Sequence, residues 1–386
     1  MIGKGIKIVM LTLAFGGALS LVFFAYFGYP VTLWAIARLR RQKVKKAPIT
    51  PAVTLIITAY NEEVRIREKL DNTFALDYPR ENLQVLVASD GSTDATALIV
   101  LEYADRGIEL LPVKERRGKE NAQREAVQHA RGEILVFTDV ATRLNPDGLR
   151  QIVANFADPA VGCVSSVDRV LGKDGRPGGE GFYVRYEMLL RHLESRAHSL
   201  VGLSGSFFAA RSEVCRDFSP DMQSDFRTLL NSMRLGLRGV SDPEAVGYYL
   251  DVADSKREFD RKVRTVLRGL TVFFHNLEFL NPCRYGFFAY QYFCHKLLRW
   301  LVPLFLLLAL VANLALAPGS PGYSVVLAGQ FCFYATAFLL WRRPAPPANP
   351  LLKVPAYFVA VNAAILLAWW RYFRGERLVM WTPSQR

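Results

Sequence analysis

The stretch L-Q-V-L-V-A-S-D-G-S-T-D (Leu83 to Asp94) decides how the chain folds, because an apolar run ends there at a carboxylate, a glycine, two hydroxyls and a second carboxylate. Leu83, Val85, Leu86, Val87 and Ala88 are too continuously apolar for a half-exposed strand. A run this short suits a parallel sheet covered on both faces. Ligands of such sheets sit at the carboxyl ends of the strands. At this end Asp90 can accept hydrogen bonds from a ribose or a base, Gly91 permits a sharp turn, and Ser92 or Asp94 can cap a helix beginning at Ala95. An ordinary strand-to-helix turn would look the same, so the weight falls on what accompanies it.

Upstream, Val53 to Thr58 (V-T-L-I-I-T) is a second fully apolar strand and ends in A-Y-N-E-E. Helical and apolar segments then alternate: a helix over Arg65 to Phe74, the Leu83 strand, a helix over Ala95 to Asp105, a strand over Ile108 to Val113, a helix over Lys119 to Ala130 and a strand over Glu133 to Thr138 that stops at Asp139. Such alternation predicts an α/β fold with a mostly parallel sheet. Asn145-Pro146-Asp147 starts a helix with Leu149, Ile152, Val153 and Phe156 on one face, and Val161 to Val167 reads as a further strand. Gly172 to Gly181 is a glycine- and charge-rich loop. Phe182 to Ala197 and Met222 to Leu235 read as helices, Ser204 to Arg211 as a glycine turn entering a strand, Val246 to Val252 as a strand, and Asp254 to about Leu280 as a basic helix that grows apolar.

The rest of the 386 residues, 51% of them hydrophobic, points to a membrane. Ile6 to Phe27 is uninterrupted and apolar character continues to Ala37, more than the ~20 residues of a span. Lys4 and Lys7 give a signal peptide's basic start, but the apolar part overruns the usual ~7 to 15 residues, which favours a retained anchor. Arg38, Arg40, Arg41, Lys43, Lys45 and Lys46 follow directly, which predicts a cytoplasmic location for the next segment. The net charge of +13 is therefore read as membrane-facing, toward anionic lipid headgroups, with no nucleic acid partner. Five cysteines without paired short spacing indicate neither a disulfide framework nor a zinc site. Thr271 to Cys294 is crowded with aromatic residues and suits a membrane interface, and Trp300 to Ala317, Tyr323 to Trp341 and Val354 to Trp370 are each near span length. Three spans after a cytoplasmic domain leave the tail outside, whereas Arg371, Arg374, Arg377 and Arg386 prefer the inside. Either one apolar segment is interfacial or re-entrant, or the aromatic stretch crosses. The expected organisation is an anchor and basic linker over 1–46, a catalytic domain over 47–268, an interfacial segment over 269–296 and a membrane region over 297–386.

Five features in order, T-A-Y-N-E-E (Thr58 to Glu63), S-D-G-S-T-D (Ser89 to Asp94), F-T-D-V-A-T (Phe137 to Thr142), Q-S-D-F (Gln223 to Phe226) and F-D-R-K-V-R (Phe259 to Arg264), resemble the family 2 glycosyltransferases. These are inverting, membrane-associated enzymes of GT-A fold that build bacterial polysaccharides. The resemblance covers roughly Pro48 to Arg268, with weaker likeness through to Trp381 to Arg386. It implies that Thr58, Ala59, Tyr60, Glu62 and Asp90 surround the donor nucleoside, with UDP the expected nucleotide. It also implies that Asp139 meets a divalent Mg²⁺ or Mn²⁺ on the diphosphate. Family members usually carry a second carboxylate or an asparagine two residues later, where this chain has Ala141. One carboxylate, water and substrate phosphates can still hold such a cation.

By the same resemblance Asp225 is the catalytic base, although Ser224 replaces the usual acidic neighbour. Arg261 and Arg264 share a helix face and can reach one anionic group. The glutamine and tryptophan of the family's processive members are absent from this segment. Lys119 after Gly118, at a helix start, is a further candidate for the diphosphate, and Ser204-Gly205-Ser206 matches the glycine turn beside donor sugar and acceptor. The implied activity is hexosyltransferase-type transfer from a nucleotide sugar to a polysaccharide or lipid-linked acceptor, on the cytoplasmic face of an inner membrane. Two other readings stay open: a catalytically silent nucleotide-sugar-binding scaffold of an export complex, and a membrane nucleotidyltransferase.

Overall fold

In the computed structural model, residues 2–40, 42–171, 182–250, 255–342 and 350–378 are described. The expected loop at 172–181, the strand end at 251–252, the helix start at 254 and the tail at 381–386 lie outside them. The chain opens with α1 (Ile2–Phe23), which passes through a π-helical segment (Phe24–Gly28) into α2 (Tyr29–Arg40). The domain that follows contains β1 (Val53–Ala59), α3 (Ile66–Phe74), β2 (Leu83–Asp90), α4 (Thr96–Leu101), β3 (Ile108–Val113), α5 (Lys119–His129), β4 (Ile134–Asp139), β5 (Arg143–Leu144) and α6 (Gly148–Ala154). It continues with β6 (Val161–Leu171), α7 (Phe182–Ala197), β7 (Phe207–Arg211), α8 (Ser224–Arg234), β8 (Arg238–Leu250) and α9 (Ser255–Phe274). Two short helices, α10 (Pro282–Tyr285) and α11 (Phe287–Tyr292), precede α12 (Arg299–Leu316), α13 (Pro321–Trp341) and α14 (Pro350–Phe373).

The strands form one sheet in the order β3-β2-β1-β4-β7-β6-β8-β5. β3, β2, β1 and β4 are parallel, as the alternation of strand and helix predicts, and β7 enters antiparallel between β4 and β6. The all-apolar strands have a direct cause: alternate side chains feed two separate cores. Leu55, Ile57, Val85, Val87 and Val136 pack on one face with Leu70 of α3 and Ile152 of α6. Ile56, Leu86, Leu135 and Phe137 pack on the other with Ala122 of α5, Leu229 of α8 and Leu267 of α9. Register sets Thr58 beside Ala88 on one side and Asp139 on the other, so three strand ends share one rim of the sheet. β5 and the first half of β8 are additions to the sequence reading. A two-residue strand has no periodicity to detect, and Arg238 to Asp242 alternates too weakly to stand out.

The second core continues without a break through Phe273, Phe279, Phe288 and Tyr292 to Trp300 and Trp369, so the aromatic segment joins the domain to the apolar helices. Among the described residues, four helical stretches are long and apolar enough to cross a membrane: Gly5–Arg40, Phe287–Gly319, Pro321–Trp341 and Val354–Phe373. The end of the aromatic stretch, α11, runs into α12 within one of these four. Polar bonds lock the first helix to the domain. The Tyr29 hydroxyl donates to buried Glu194 of α7 at 2.7 Å, and Tyr186 donates to the Tyr26 carbonyl at 2.9 Å.

α14 lies parallel to α9. The ammonium of Lys262 sits 4.8 Å from the Tyr357 ring, and further along both helices Phe274 meets Trp369 at 5.8 Å and Tyr372 at 5.2 Å. α9 carries charged residues from Lys256 to Arg268 and cannot enter hydrocarbon.

Candidate functional site

The rim formed by β1, β2 and β4 gathers most of the candidate residues. Asp90 is fully buried, and its carboxylate accepts the backbone N–H groups of Arg117 at 3.0 Å and Gly118 at 2.9 Å. These bonds fix the turn that enters α5 and so aim Lys119. Gly91 is required here, because its φ is +64° and a Cβ would lie 2.8 Å from the Arg116 nitrogen. The Arg116 guanidinium covers the Tyr60 ring at 3.9 Å, making a flat cationic surface at the end of β1. Glu62 is buried, and burial holds its carboxyl above the ordinary value against the pull of Arg65, which it binds at 2.6 Å. Thr58 and Ala59 are buried beside them, and the Thr58 hydroxyl is a buried polar atom with no partner among the described residues.

Lys119 reaches across the rim. Its ammonium donates to Asp139 at 2.5 Å and to the Gly205 carbonyl at 2.9 Å. That pair of contacts ties β4 to the Ser204-Gly205-Ser206 turn. On the turn's other side stands Asp225: a Cβ on Gly205 would lie 3.2 Å from its Oδ2. Asp225, in the first turn of α8, accepts from the Phe226 N–H at 2.9 Å and from Gln223 at 3.2 Å. Burial raises its carboxyl above the ordinary value, while Arg268, Lys119 and Lys296 pull it back. Asp139, Lys119, Gly205 and Asp225 are therefore contiguous, with a lysine and a glycine turn set between two carboxyl groups.

Three residues of this neighbourhood have no mark in the sequence. Lys69 of α3 is buried, donating to Thr138 at 3.0 Å and to the Thr142 carbonyl at 2.5 Å, and burial lowers its ammonium to about 7, with Asp139 opposing. Asp168 of β6 accepts from Ser204 at 2.7 Å and Ser206 at 2.6 Å, which holds the glycine turn in place. Arg268 of α9 pairs with buried Glu120 of α5 and is the first of the cations acting on Asp225. The sequence expectation centres on Arg261 and Arg264. Arg264 is half-buried, and burial together with Arg268 and Arg261 lowers its pKa. Arg261 turns elsewhere: its guanidinium grips Glu258 at 2.7 and 2.8 Å and lines a separate pocket beside Arg299 and Tyr357. Arg264 does not line that pocket.

A divalent cation here has few protein ligands. Among the described residues no group of three or more His, Cys, Asp or Glu side chains could hold one. Asp139, with 26% of its side chain exposed, fits a cation that arrives on a diphosphate and takes its other ligands from phosphate and water. A metal so held would neutralise charge building on the departing diphosphate.

Residues 54–218 match the family described as Glycosyl transferase family 2. The poly-beta-1,6-N-acetyl-D-glucosamine synthase of Staphylococcus aureus (strain COL) is 28% identical over 196 residues, 48% of this chain and 46% of that protein. The Staphylococcus epidermidis enzyme of the same name is 25% identical over 171 residues, 43% of this chain and 40% of that one. The chain thus spans about half the length of the curated relatives it matches. Among solved structures, the mannosyltransferase PcManGT from Pyrobaculum calidifontis, in complex with GDP-Man and Mn2+, has a TM-score of 0.73 and 26% identity, covering 95% of this chain and 100% of that one.

Proposed function

We propose that this chain, whose residues 54–218 match Glycosyl transferase family 2 and whose fold is GT-A-like, transfers one sugar from a nucleoside diphosphate donor to a polysaccharide or lipid-linked acceptor in a single inverting displacement. The observation that carries this reading is the contiguity of Asp139, Lys119, Gly205 and Asp225. Asp225 takes the proton of the acceptor hydroxyl as its oxygen bonds to the anomeric carbon. The bond from that carbon to the diphosphate breaks, and the nucleoside diphosphate leaves. Lys119, Arg268 and Arg264 stabilise the growing negative charge, with Asp139 holding the cation of the donor. Tyr60, Glu62 and the Arg116 guanidinium surround the nucleoside, and Asp90 acts through the Arg117–Gly118 turn. The convergence favours an enzyme over a silent scaffold. A nucleotidyltransferase would need no base beside the glycine turn.

The test is nucleoside diphosphate release by full-length protein in detergent, with UDP-sugars and GDP-mannose as donors, lipid extract as acceptor source, and Mn²⁺ or Mg²⁺ present or withheld. Release that depends on one sugar and a metal supports the reading. Pyrophosphate release in its place would favour the nucleotidyltransferase. Gly205→Ala gives an independent check, since the new methyl must push the Asp225 carboxylate. We expect kcat to fall about tenfold while KM for the donor changes less, because a small displacement of a catalytic group is costly.

The membrane arrangement belongs to the same proposal. The helix pair α1–α2, α12 and α13 cross the inner membrane, and α14 lies in the cytoplasmic interface along α9, supported by the paired contacts of Lys262 with Tyr357 and Phe274 with Trp369. With α14 in the interface, the catalytic domain and Arg371, Arg374 and Arg377 are all cytoplasmic, and the charge conflict in the sequence disappears. A C-terminal fluorescent-protein fusion should be bright and a C-terminal alkaline phosphatase fusion inactive. The reverse pattern would put α14 across the bilayer.

A further inference from the structure

A second pocket, of about 310 Å³, lies at the junction of α7, α9, α14 and the start of α12. Four cations line it, Arg261, Lys262, Lys296 and Arg299, against two carboxylates, Glu187 and Glu258, so its walls carry excess positive charge. Glu258 is shared by Arg261 and Lys262, and Glu187 pairs with Arg299. Beside Thr265, His295 and Tyr357, an apolar part of the wall is formed by Trp300 of α12 and by Val361 and Ile365 of α14. A cationic head space against an apolar wall, at the depth of the interfacial helix, matches an amphiphile with an anionic head. One residue joins it to the catalytic cleft. Lys296 lies over the Phe226 ring at 4.3 Å, next in sequence to Asp225, and contributes to the charge felt by Asp225.

We propose that this pocket binds the phosphate or diphosphate head of a lipid-linked acceptor, entering from the bilayer side, so that the sugar it carries reaches Asp225. The proposal rests on the transferase reading above and names the acceptor class for it. Arginine forks suit phosphate oxygens, and Arg261, turned away from the donor site, has a role here.

The test is equilibrium binding without donor, by full-length protein in phosphatidylcholine nanodiscs. The probes are farnesyl phosphate, farnesol, inorganic phosphate and phosphatidylglycerol, with tryptophan fluorescence compared between the parent and Trp300→Phe as a local signal. Farnesyl phosphate should bind saturably and quench or shift that fluorescence, while farnesol and inorganic phosphate at equal concentration should not. Arg261→Gln combined with Arg299→Gln should weaken farnesyl phosphate about tenfold or more with nucleotide-sugar affinity unchanged. Because Arg299 also pairs with Glu187, Arg261→Gln alone is the safer variant, its side chain being 44% exposed, and a weakening of about threefold is expected from it. Equal binding of phosphatidylglycerol would make the pocket an ordinary lipid seat and overturn the acceptor assignment. Competition by farnesol or by inorganic phosphate alone, or variants that weaken nucleotide sugar instead, would overturn it as well. Binding that behaves as expected in protein that never releases nucleoside diphosphate would leave the pocket standing and count against the transferase reading.

Discussion

Asp225→Asn is expected to lower the rate of sugar transfer by about 10³-fold or more, within the range that a general base contributes, while nucleotide-sugar binding stays within about twofold. The amide keeps the shape and its oxygen can still accept from the Phe226 N–H, but it cannot accept a proton from the acceptor hydroxyl. Burial raises the Asp225 carboxyl above the ordinary value. The base form is lost as pH falls through that raised value, so the acid limb of kcat should lie above the ~4 of an unperturbed aspartate. The sign for stability is opposite to that for activity. A carboxyl raised in the folded state binds its proton more tightly there, so its stabilising contribution is present below the unfolded pKa and is lost as pH rises through the folded one. Asp225→Asn should therefore melt no lower than the parent at neutral pH. Calorimetry beside the rate measurement separates the two effects. A variant that retains transfer would remove Asp225 from the chemistry, and one that loses donor binding with an unchanged melting temperature would assign it to the donor site.

What was legible in the sequence follows from where the physics is local. The strand ends at Thr58, Asp90 and Asp139 are each announced by an apolar run that stops at a polar group, and parallel pairing then brings them to one rim. The helices over α3, α5 and α7 follow from apolar periodicity within a residue or two. Asp168 and Lys69 could not be read this way. V-D-R-V places an aspartate in the polar half of an ordinary strand, and nothing in it says that two serines thirty-odd residues later will donate to it. Lys69 sits in a helix of charged residues, where a lysine is ordinarily solvated, and only the packing of α3 on the loop after β4 buries it. Arg268 is a similar case: its partner Glu120 comes from a distant helix, whereas Arg261 and Arg264 lie in the motif and so draw attention first. The contacts of α14 with α9 likewise escape any hydropathy window, because the apolar length of α14 matches that of a span.

The second large effect concerns Asp139, where the chain has a single carboxylate and Ala141 at the position two residues later. Lys119 already neutralises one oxygen of Asp139 at 2.5 Å, so a divalent cation would gain little from the protein alone and, on the proposed reading, would be held chiefly by the phosphates of the donor. Asp139→Asn should weaken Mn²⁺-dependent nucleotide-sugar binding by about 10²-fold and lower transfer at least as much, because an ionic ligand and the partner of Lys119 are lost together. Ala141→Asp should have the opposite effect on the cation. A second carboxylate beside the first supplies the charge that the native site omits, so Mn²⁺ binding without nucleotide should become measurable by paramagnetic resonance. The two variants read the same balance from both sides. Unchanged metal dependence in Asp139→Asn would mean that the cation is held by the donor alone, leaving Lys119 as the group that binds the diphosphate. Tighter Mn²⁺ binding in Ala141→Asp would instead place residue 141 within reach of the ion and explain the single-carboxylate site as one tuned to bind metal only when the donor brings it.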